Sequence, residues 1–153
     1  ADVSLAGREI SCEQAVRKIA GEEIAQAQRE AADATLPHAQ RIFARERLLL
    51  LEWPDAVTMP LQLWRVGNWA MAAFTGQMFA QFAHDLRYAS PFAVTALVEL
   101  ANGSGGYIPR RFDYALGGYE PQLARSSYAA PGTGEELIAL AADELRKLFA
   151  AGL

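Results

Sequence analysis

The sequence predicts a mixed α/β fold, in which a β-sheet of about four strands carries long helices packed on it. Three observations support this prediction. Apolar residues recur at helical intervals near both ends of the chain, and short apolar runs bounded by turn residues fill its middle. The predicted order is helix, strands, helix, strand, helix, which is typical of mixed α/β proteins. The 153 residues are expected to form a single domain or segment over 1–153.

The first element is predicted to be a helix over 11–34. Ser11 and Gln14 have the spacing of a capping box, and Pro37 ends the helix because the residue before a proline avoids the α region. The apolar positions that follow the helical period are Val16, Ile19, Ala20, Ile24, Ala27 and Ala31. The opposite face carries charges of both signs, which indicates a solvated surface rather than a membrane-bound one.

The next segments combine an undecided stretch with a hairpin. Residues 37–54 are either a continued helix or a helix followed by a buried strand, because periodicity does not decide so short an apolar run. The apolar runs 61–66 and 69–74 flank Gly67 and Asn68, a two-residue loop that accepts positive φ. These runs are therefore predicted to form a β-hairpin.

After the hairpin, Gly76 turns the chain into a third helix that Pro91 ends. Its apolar face is formed by Phe79, Phe82, Ala83 and Leu86. Residues 94–101 are almost wholly apolar, which predicts a strand covered on both faces. The glycine-rich residues 102–106 then form a loop.

The carboxy-terminal part is predicted to be irregular over 107–131, since paired glycines and two prolines interrupt any period. Thr133 and Glu136 have the spacing of a second capping box and begin a closing helix. Its apolar stripe consists of Leu137, Leu140, Ala141, Leu145 and Leu148.

The composition narrows the class of protein. With 52% hydrophobic and 21% charged residues, the chain is ordinary for a globular protein. A net charge of −4 argues against nucleic acid as a partner, because nucleic acid attracts basic surfaces. The single cysteine, Cys12, excludes an internal disulfide and fits a cytosolic or an exported protein. No apolar run approaches the roughly 20 residues of a transmembrane segment.

Residue types that carry catalysis are sparse. His38 and His84 lie far apart, and neither has a second histidine one helical turn away, so they do not predict a metal site. Ser104 lies between glycines but not in a G-x-S-x-G elbow. Cys12 is interpreted either as a thiol with a pKa lowered by a helix start or as a small, half-buried residue. No helix is predicted directly after the loop 102–106, which argues against a phosphate site.

One polar cluster remains as a candidate site. Asn102, Tyr107, Tyr114, Tyr119 and Glu120 follow the last predicted strand, in loops of the kind where binding residues concentrate. The alternative is that these tyrosines only pack a coil segment against the sheet. Composition leaves both interpretations open.

An ordered set of short motifs runs through residues 61–148. The motifs are Val66-Gly67-Asn68, Thr75-Gly76-Gln77, Ser90-Pro91-Phe92, Ala101-Asn102-Gly103, Gly106-Tyr107-Ile108-Pro109, Gly117-Gly118-Tyr119-Glu120-Pro121 and Pro131-Gly132-Thr133-Gly134-Glu135. In this order they resemble the carboxy-terminal third of the catalytic domain of neutral/alkaline non-lysosomal ceramidases. The resemblance implies that the chain is part of a larger α/β catalytic domain.

The resemblance also implies a chemistry. In that family a zinc ion serves the hydrolysis of an N-acyl bond, with two histidines, a glutamate and a tyrosine as ligands. The tyrosine falls on Tyr107, whereas the glutamate falls on Gln77, an amide that binds zinc less strongly than a carboxylate. Gln77 and Tyr107 each follow an apolar strand and are therefore expected to lie close together if those strands are parallel. Asn102, Tyr119 and Glu120 are expected to line the site. The two histidines and the family's serine nucleophile have no counterpart here, so the catalytic residues stay unassigned and this chain alone is not expected to hold zinc tightly.

Three functions follow from these observations. The first is that the chain is part of a ceramidase-like amidohydrolase acting on a lipid or other N-acyl substrate, completed by a missing amino-terminal segment or a second chain. Alternatively, it is a non-catalytic binding or scaffold domain that lost the glutamate at Gln77, or a domain of unrelated function. An exposed apolar sheet surface favours the first, because a missing layer leaves such a patch. The resemblance slightly favours a secreted or periplasmic location.

Overall fold

A four-stranded sheet, a two-stranded sheet and five helices make up residues 3–151, the part of the chain that this computed structural model describes. The strands are β1 (Leu5–Ala15), β2 (Ala56–Val66), β3 (Trp69–Phe74), β4 (Gln77–Met78), β5 (Val94–Val98) and β6 (Tyr107–Ile108). The helices are α1 (Glu22–Ala32), α2 (His38–Leu49), α3 (Ala80–Ala89), α4 (Asp113–Leu116) and α5 (Thr133–Ala150). The predicted mixed α/β class, with a sheet of about four strands, is confirmed.

The large sheet has the order β1-β2-β3-β5. The first two pairings are antiparallel, and β3 pairs with β5 in parallel. The predicted hairpin is confirmed, since Val66 lies opposite Trp69 across the two-residue turn. Helix α3 connects the parallel strands and is followed by Ser90 in extended conformation, as the proline after it requires.

The predicted helix over 11–34 is wrong up to residue 21 and is confirmed only over Glu22–Ala32. Residues Leu5–Ala15 form an edge strand that pairs with β2 along its whole length. Cys12 and Gln14 are buried while Ser11 and Glu13 are exposed, a period of two that the helical interpretation overlooked. Ser11 lies opposite Pro60 and caps no helix. The helix starts only at Glu22, because long-range pairing with β2 overrides the local signal.

The undecided stretch 37–54 is helical. It forms α2 and a 3₁₀ turn over Leu50–Glu52, whose first residue is fully buried. Helices α1 and α2 pack against each other, and an ion pair between Arg47 and Glu30 joins them. Both helices lie in the chain between the paired strands β1 and β2.

The core lies between one face of the large sheet and helices α3 and α5. Leu61 and Leu63 of β2 are fully buried and pack with Phe82 of α3 and Leu145 of α5 in one apolar cluster. Helix α5 follows the predicted apolar stripe, but its predicted capping box is wrong. Thr133 is the first helical residue and is itself buried, so the capping position belongs to Gly132.

The other face of the large sheet is uncovered within residues 3–151. The prediction that β5 is covered on both faces is wrong, since Val94 is 44% exposed and Val98 is 38% exposed. The surface formed by Trp64, Val66, Trp69, Met71 and Val94 is called the open face below. Within the described residues, no helix is both long and apolar enough to cross a membrane.

Candidate functional site

Two chain segments leave the large sheet side by side and form the small sheet. The first continues from β3 into β4, and the second runs from β5 through a loop into β6. Strands β4 and β6 pair in parallel, with Gln77 opposite Tyr107. The backbone amide nitrogen of Gln77 donates to the Gly106 carbonyl at 2.8 Å. The predicted proximity of Gln77 and Tyr107 is therefore confirmed, whereas a role as metal ligands stays a prediction.

Two glycines make this close pairing possible. A Cβ at Gly105 would lie 2.8 Å from the backbone nitrogen of Gly76, so only a residue without a side chain fits there. Gly106 has a φ of +68°, and a Cβ on it would lie 2.6 Å from the Ser126 carbonyl oxygen. The glycine-rich loop that sequence analysis identified is thus the element that brings the two segments together.

The polar groups of the two predicted ligands, Gln77 and Tyr107, are available for binding. Within residues 3–151, neither the Gln77 side-chain amide nor the Tyr107 hydroxyl makes a hydrogen bond with another protein group, and both residues are half-buried. The Tyr107 ring makes an edge contact with Tyr119, with centroids 5.8 Å apart. Tyr119, another predicted site residue, makes a similar contact with Phe43 at 6.0 Å. The three rings form a continuous aromatic row.

The aromatic row borders a groove of about 530 Å³. Ile42 and Phe43 of α2 form one wall, and Tyr119, Ser104 and Arg125 lie around the rest. The groove therefore has an apolar wall and a polar opening, and Tyr119, which lines it, contacts the Tyr107 ring outside it. This arrangement is called the aromatic groove below.

An ion pair closes one side of the aromatic groove. Nε and Nη2 of Arg125 donate to the two carboxylate oxygens of Glu46 at 2.9 and 2.8 Å. The hydrogen bond from the Arg125 side chain holds the pKa of Glu46 below its ordinary value. Glu46 is therefore ionised at neutral pH and fully engaged, so it is not a free acid or base.

Asn102 lies apart from this row. It is exposed, adopts a φ of +58°, and donates its side-chain amide to the Gln62 oxygen at 2.7 Å. Gln62 belongs to β2 and projects from the same side of the sheet as the open face. Asn102 thus joins the loop of the candidate site to the uncovered side of the sheet.

Tyr114 has a structural role. Its hydroxyl donates to the buried Ala129 carbonyl at 3.0 Å, and the Arg17 guanidinium lies 4.5 Å from its ring centroid. Burial raises the pKa of Tyr114 to about 12, against the opposing effect of Arg17. Glu120 is half-buried and follows Tyr119 in the chain. Tyr114 therefore conforms to the packing interpretation of the polar cluster.

The residues present do not fit a complete zinc site. A catalytic zinc takes three protein ligands, and this region offers the amide of Gln77 and the phenol of Tyr107. Within residues 3–151, no three histidine, cysteine or acidic side chains come together as ligands. His38 is an exposed first residue of α2, and His84 is exposed on α3.

Cys12 is not an activated thiol. It lies inside β1 and is buried against the core, and burial raises its pKa. The interpretation of a thiol at a helix start is therefore wrong. Sequence analysis instead missed Phe43, Glu46 and Arg125, because Arg125 lies 79 residues after Glu46 and no motif links it to α2. A helical stripe through Ile42 and Phe43 was the only signal that could have pointed to them.

Two solved structures that are similar to this chain are ceramidases. The crystal structure of neutral ceramidase from Pseudomonas aeruginosa matches with a TM-score of 0.56 and 16% identity, over 97% of this chain and 28% of that chain. A structure of a ceramidase complexed with C2 matches with a TM-score of 0.55 and 14% identity, over 96% of this chain and 30% of that chain. No family model and no curated protein matches. The chain thus has a ceramidase-like fold and spans less than a third of either structure.

Proposed function

We propose that this chain is the carboxy-terminal part of the catalytic domain of a ceramidase-like hydrolase that cleaves N-acyl amide bonds in lipid substrates. The fold likeness supports the placement in this class of hydrolases. The observation that carries the proposal is the parallel pairing of Gln77 with Tyr107, because it brings two oxygen-bearing side chains together, and the Tyr107 ring contacts Tyr119 of the aromatic groove.

The site is completed by residues outside this chain. The family resemblance assigns a zinc ion to the complete domain and two histidine ligands to earlier sequence. The present chain contributes the phenol of Tyr107 and the amide oxygen of Gln77, which offers a dipole where a glutamate offers a full charge. The Tyr107 ring is held in place by its contact with Tyr119. The aromatic groove beside it has the mixed apolar and polar lining that suits an N-acyl substrate.

The test is a zinc titration of the complete polypeptide that contains this chain, with a competing chelator as reporter. Gln77→Glu is expected to raise zinc affinity by about ten- to 100-fold, the range in which changes to a ligand's environment act. Gln28→Glu adds the same charge on the exposed side of α1 and is expected to leave the affinity unchanged. Tyr107→Phe removes the phenol oxygen and is expected to lower the affinity by a similar factor.

The titration separates the proposal from its rival. Equal zinc affinity in the parent, Gln77→Glu and Tyr107→Phe proteins would contradict a metal-ligand role for this pair. That result would favour the second candidate function, a binding or scaffold domain that keeps the fold without the metal. The amide at Gln77 is the observation on which this rival rests. Hydrolysis of a fluorescent N-acyl amide by Gln77→Glu would support the hydrolase directly.

A further inference from the structure

The large sheet has two apolar faces and only one of them is covered within residues 3–151. On the covered face, Leu61 and Leu63 are fully buried. On the open face, Trp64 is 49% exposed and Trp69 is 64% exposed, and the aliphatic side chains of Val66, Met71 and Val94 surround them. Contiguous apolar patches of this kind mark interaction surfaces.

The open face includes a hollow of about 270 Å³. The residues that line it include Trp64, Trp69, Met71, Val94 and Ala96. An apolar cavity of about 150 Å³ is large enough to hold benzene, so the hollow has room for an aromatic side chain of a partner. The Trp64 indole is itself held in place, because it lies directly over Gly7 of the neighbouring strand.

The same side of the sheet becomes acidic away from the hollow. Glu9 and Glu13 project from β1 there and accept hydrogen bonds from Gln62 and Thr58, each at 2.7 Å. Neither carboxylate is in an ion pair with a residue in 3–151. A partner that covers this side therefore needs an apolar centre and basic residues opposite the two glutamates. An anionic membrane surface has the wrong charge for this role.

The open face leads to the candidate site. Asn102, in the loop that brings Gln77 and Tyr107 together, donates to Gln62 on this side of the sheet. A layer that covers the open face and extends past Gln62 reaches the loop beside the candidate ligands. The solved structures with this fold are more than three times as long as this chain, which leaves ample sequence for such a layer.

We propose that the remainder of the hydrolase polypeptide covers the open face, with an apolar centre seated between Trp64 and Trp69 and basic residues opposite Glu9 and Glu13. This inference rests on the proposed function only for the identity of the covering sequence. The covering layer, and not a second copy of this chain or a lipid surface, is what buries the two tryptophans.

The test compares oxidative footprinting of the 153-residue chain with that of the complete polypeptide, read by mass spectrometry. Oxidation of Trp64 and Trp69 is expected to fall about tenfold in the complete polypeptide, because the centre of an interface excludes water. Trp53, half-buried against Tyr128, serves as the internal reference. Trp69→Glu is expected to lower the melting temperature of the complete polypeptide only. Tyr88→Glu, at a residue 96% exposed on α3, is the control and is expected to leave the temperature unchanged.

Three results would overturn the proposal. The first is equal oxidation of Trp64 and Trp69 in both samples. The second is a dimer of the 153-residue chain by sedimentation that Trp69→Glu abolishes, since the occupant is then a second copy. The third is protection of Trp69 by phosphatidylcholine vesicles at the level of the complete polypeptide. Protected tryptophans together with a flat zinc titration would refute the proposed function and leave this inference standing.

Discussion

Replacing Tyr114 with phenylalanine removes one hydroxyl and keeps the ring that faces Arg17. The hydroxyl donates to the Ala129 carbonyl at 3.0 Å, and that carbonyl belongs to a fully buried residue. A buried acceptor that loses its donor costs about 1–3 kcal/mol. Tyr114→Phe is therefore expected to lower the free energy of unfolding by about 1–2 kcal/mol at pH 7.

The same hydroxyl makes stability depend on alkaline pH. Burial raises the pKa of Tyr114 from 10.0 to about 12 in the folded state. Because the pKa is raised, the contribution of the Tyr114 hydroxyl to stability is complete below pH 10 and is lost as the pH rises from 10 to 12. The difference between the folded and unfolded pKa corresponds to about 2.7 kcal/mol of stability. Because Tyr114 is only partly buried, solvent screening reduces the expected loss to about 2 kcal/mol.

The assay is urea unfolding followed by circular dichroism at pH 7, 9, 10.5 and 11.5. The stability gap between the parent chain and Tyr114→Phe is expected to be constant up to about pH 9 and to close above pH 10. Tyr88→Phe is the matched control, since the Tyr88 side chain is almost fully exposed. A gap that stays the same from pH 7 to pH 11.5, or a Tyr114→Phe protein as stable as the control at pH 7, would refute the structural role of Tyr114.

Two further predictions concern the loss of stability at acidic pH and the glycine-rich loop. The hydrogen bond from the Arg110 side chain lowers the pKa of Asp113, so its contribution to stability is present above the ordinary value of 3.8 and is lost as the pH falls below it. Asp113→Asn is expected to make the free energy of unfolding less dependent on pH in acid titrations. An unchanged pH dependence below 3.8 would contradict the stabilising role of the Arg110–Asp113 ion pair. Gly105→Ala is expected to cost about 1–3 kcal/mol of stability because its Cβ meets the backbone of Gly76. Gly103→Ala, whose Cβ meets only Thr75 at 3.4 Å, is the control, and equal stability of the two variants would contradict the steric argument.

The sequence predicted the elements whose signals are local. The hairpin around Gly67 and Asn68 has a two-residue turn between apolar runs, and helix α5 has an uninterrupted apolar stripe. Strand β1 was missed because its partner lies about 50 residues away, so its pairing leaves no trace in a short window. The weak alternation at Cys12 and Gln14 competed with a stronger helical signal further along.

One part of the candidate site was predicted from the sequence and the other part was not. The proximity of Gln77 and Tyr107 was predicted from the position of each residue after an apolar strand, and the parallel pairing of β4 and β6 confirms it. The aromatic groove was not predicted, because Phe43 and Arg125 meet only after α2 has packed against the loop that contains Tyr119. Contacts between distant segments depend on the packed structure and not on any local pattern.

The position of α1 and α2 between two paired strands separates the wall of the aromatic groove from the segments that pair Gln77 with Tyr107. Ala15 lies opposite Ala56, so everything between them begins and ends at the same point of the sheet. A segment tethered at one point changes in length at little entropic cost. Substitutions or insertions there reshape the wall at Phe43 and leave the strands before Gln77 untouched. A change in this segment can therefore alter the shape of the aromatic groove without moving the backbone that pairs Gln77 with Tyr107.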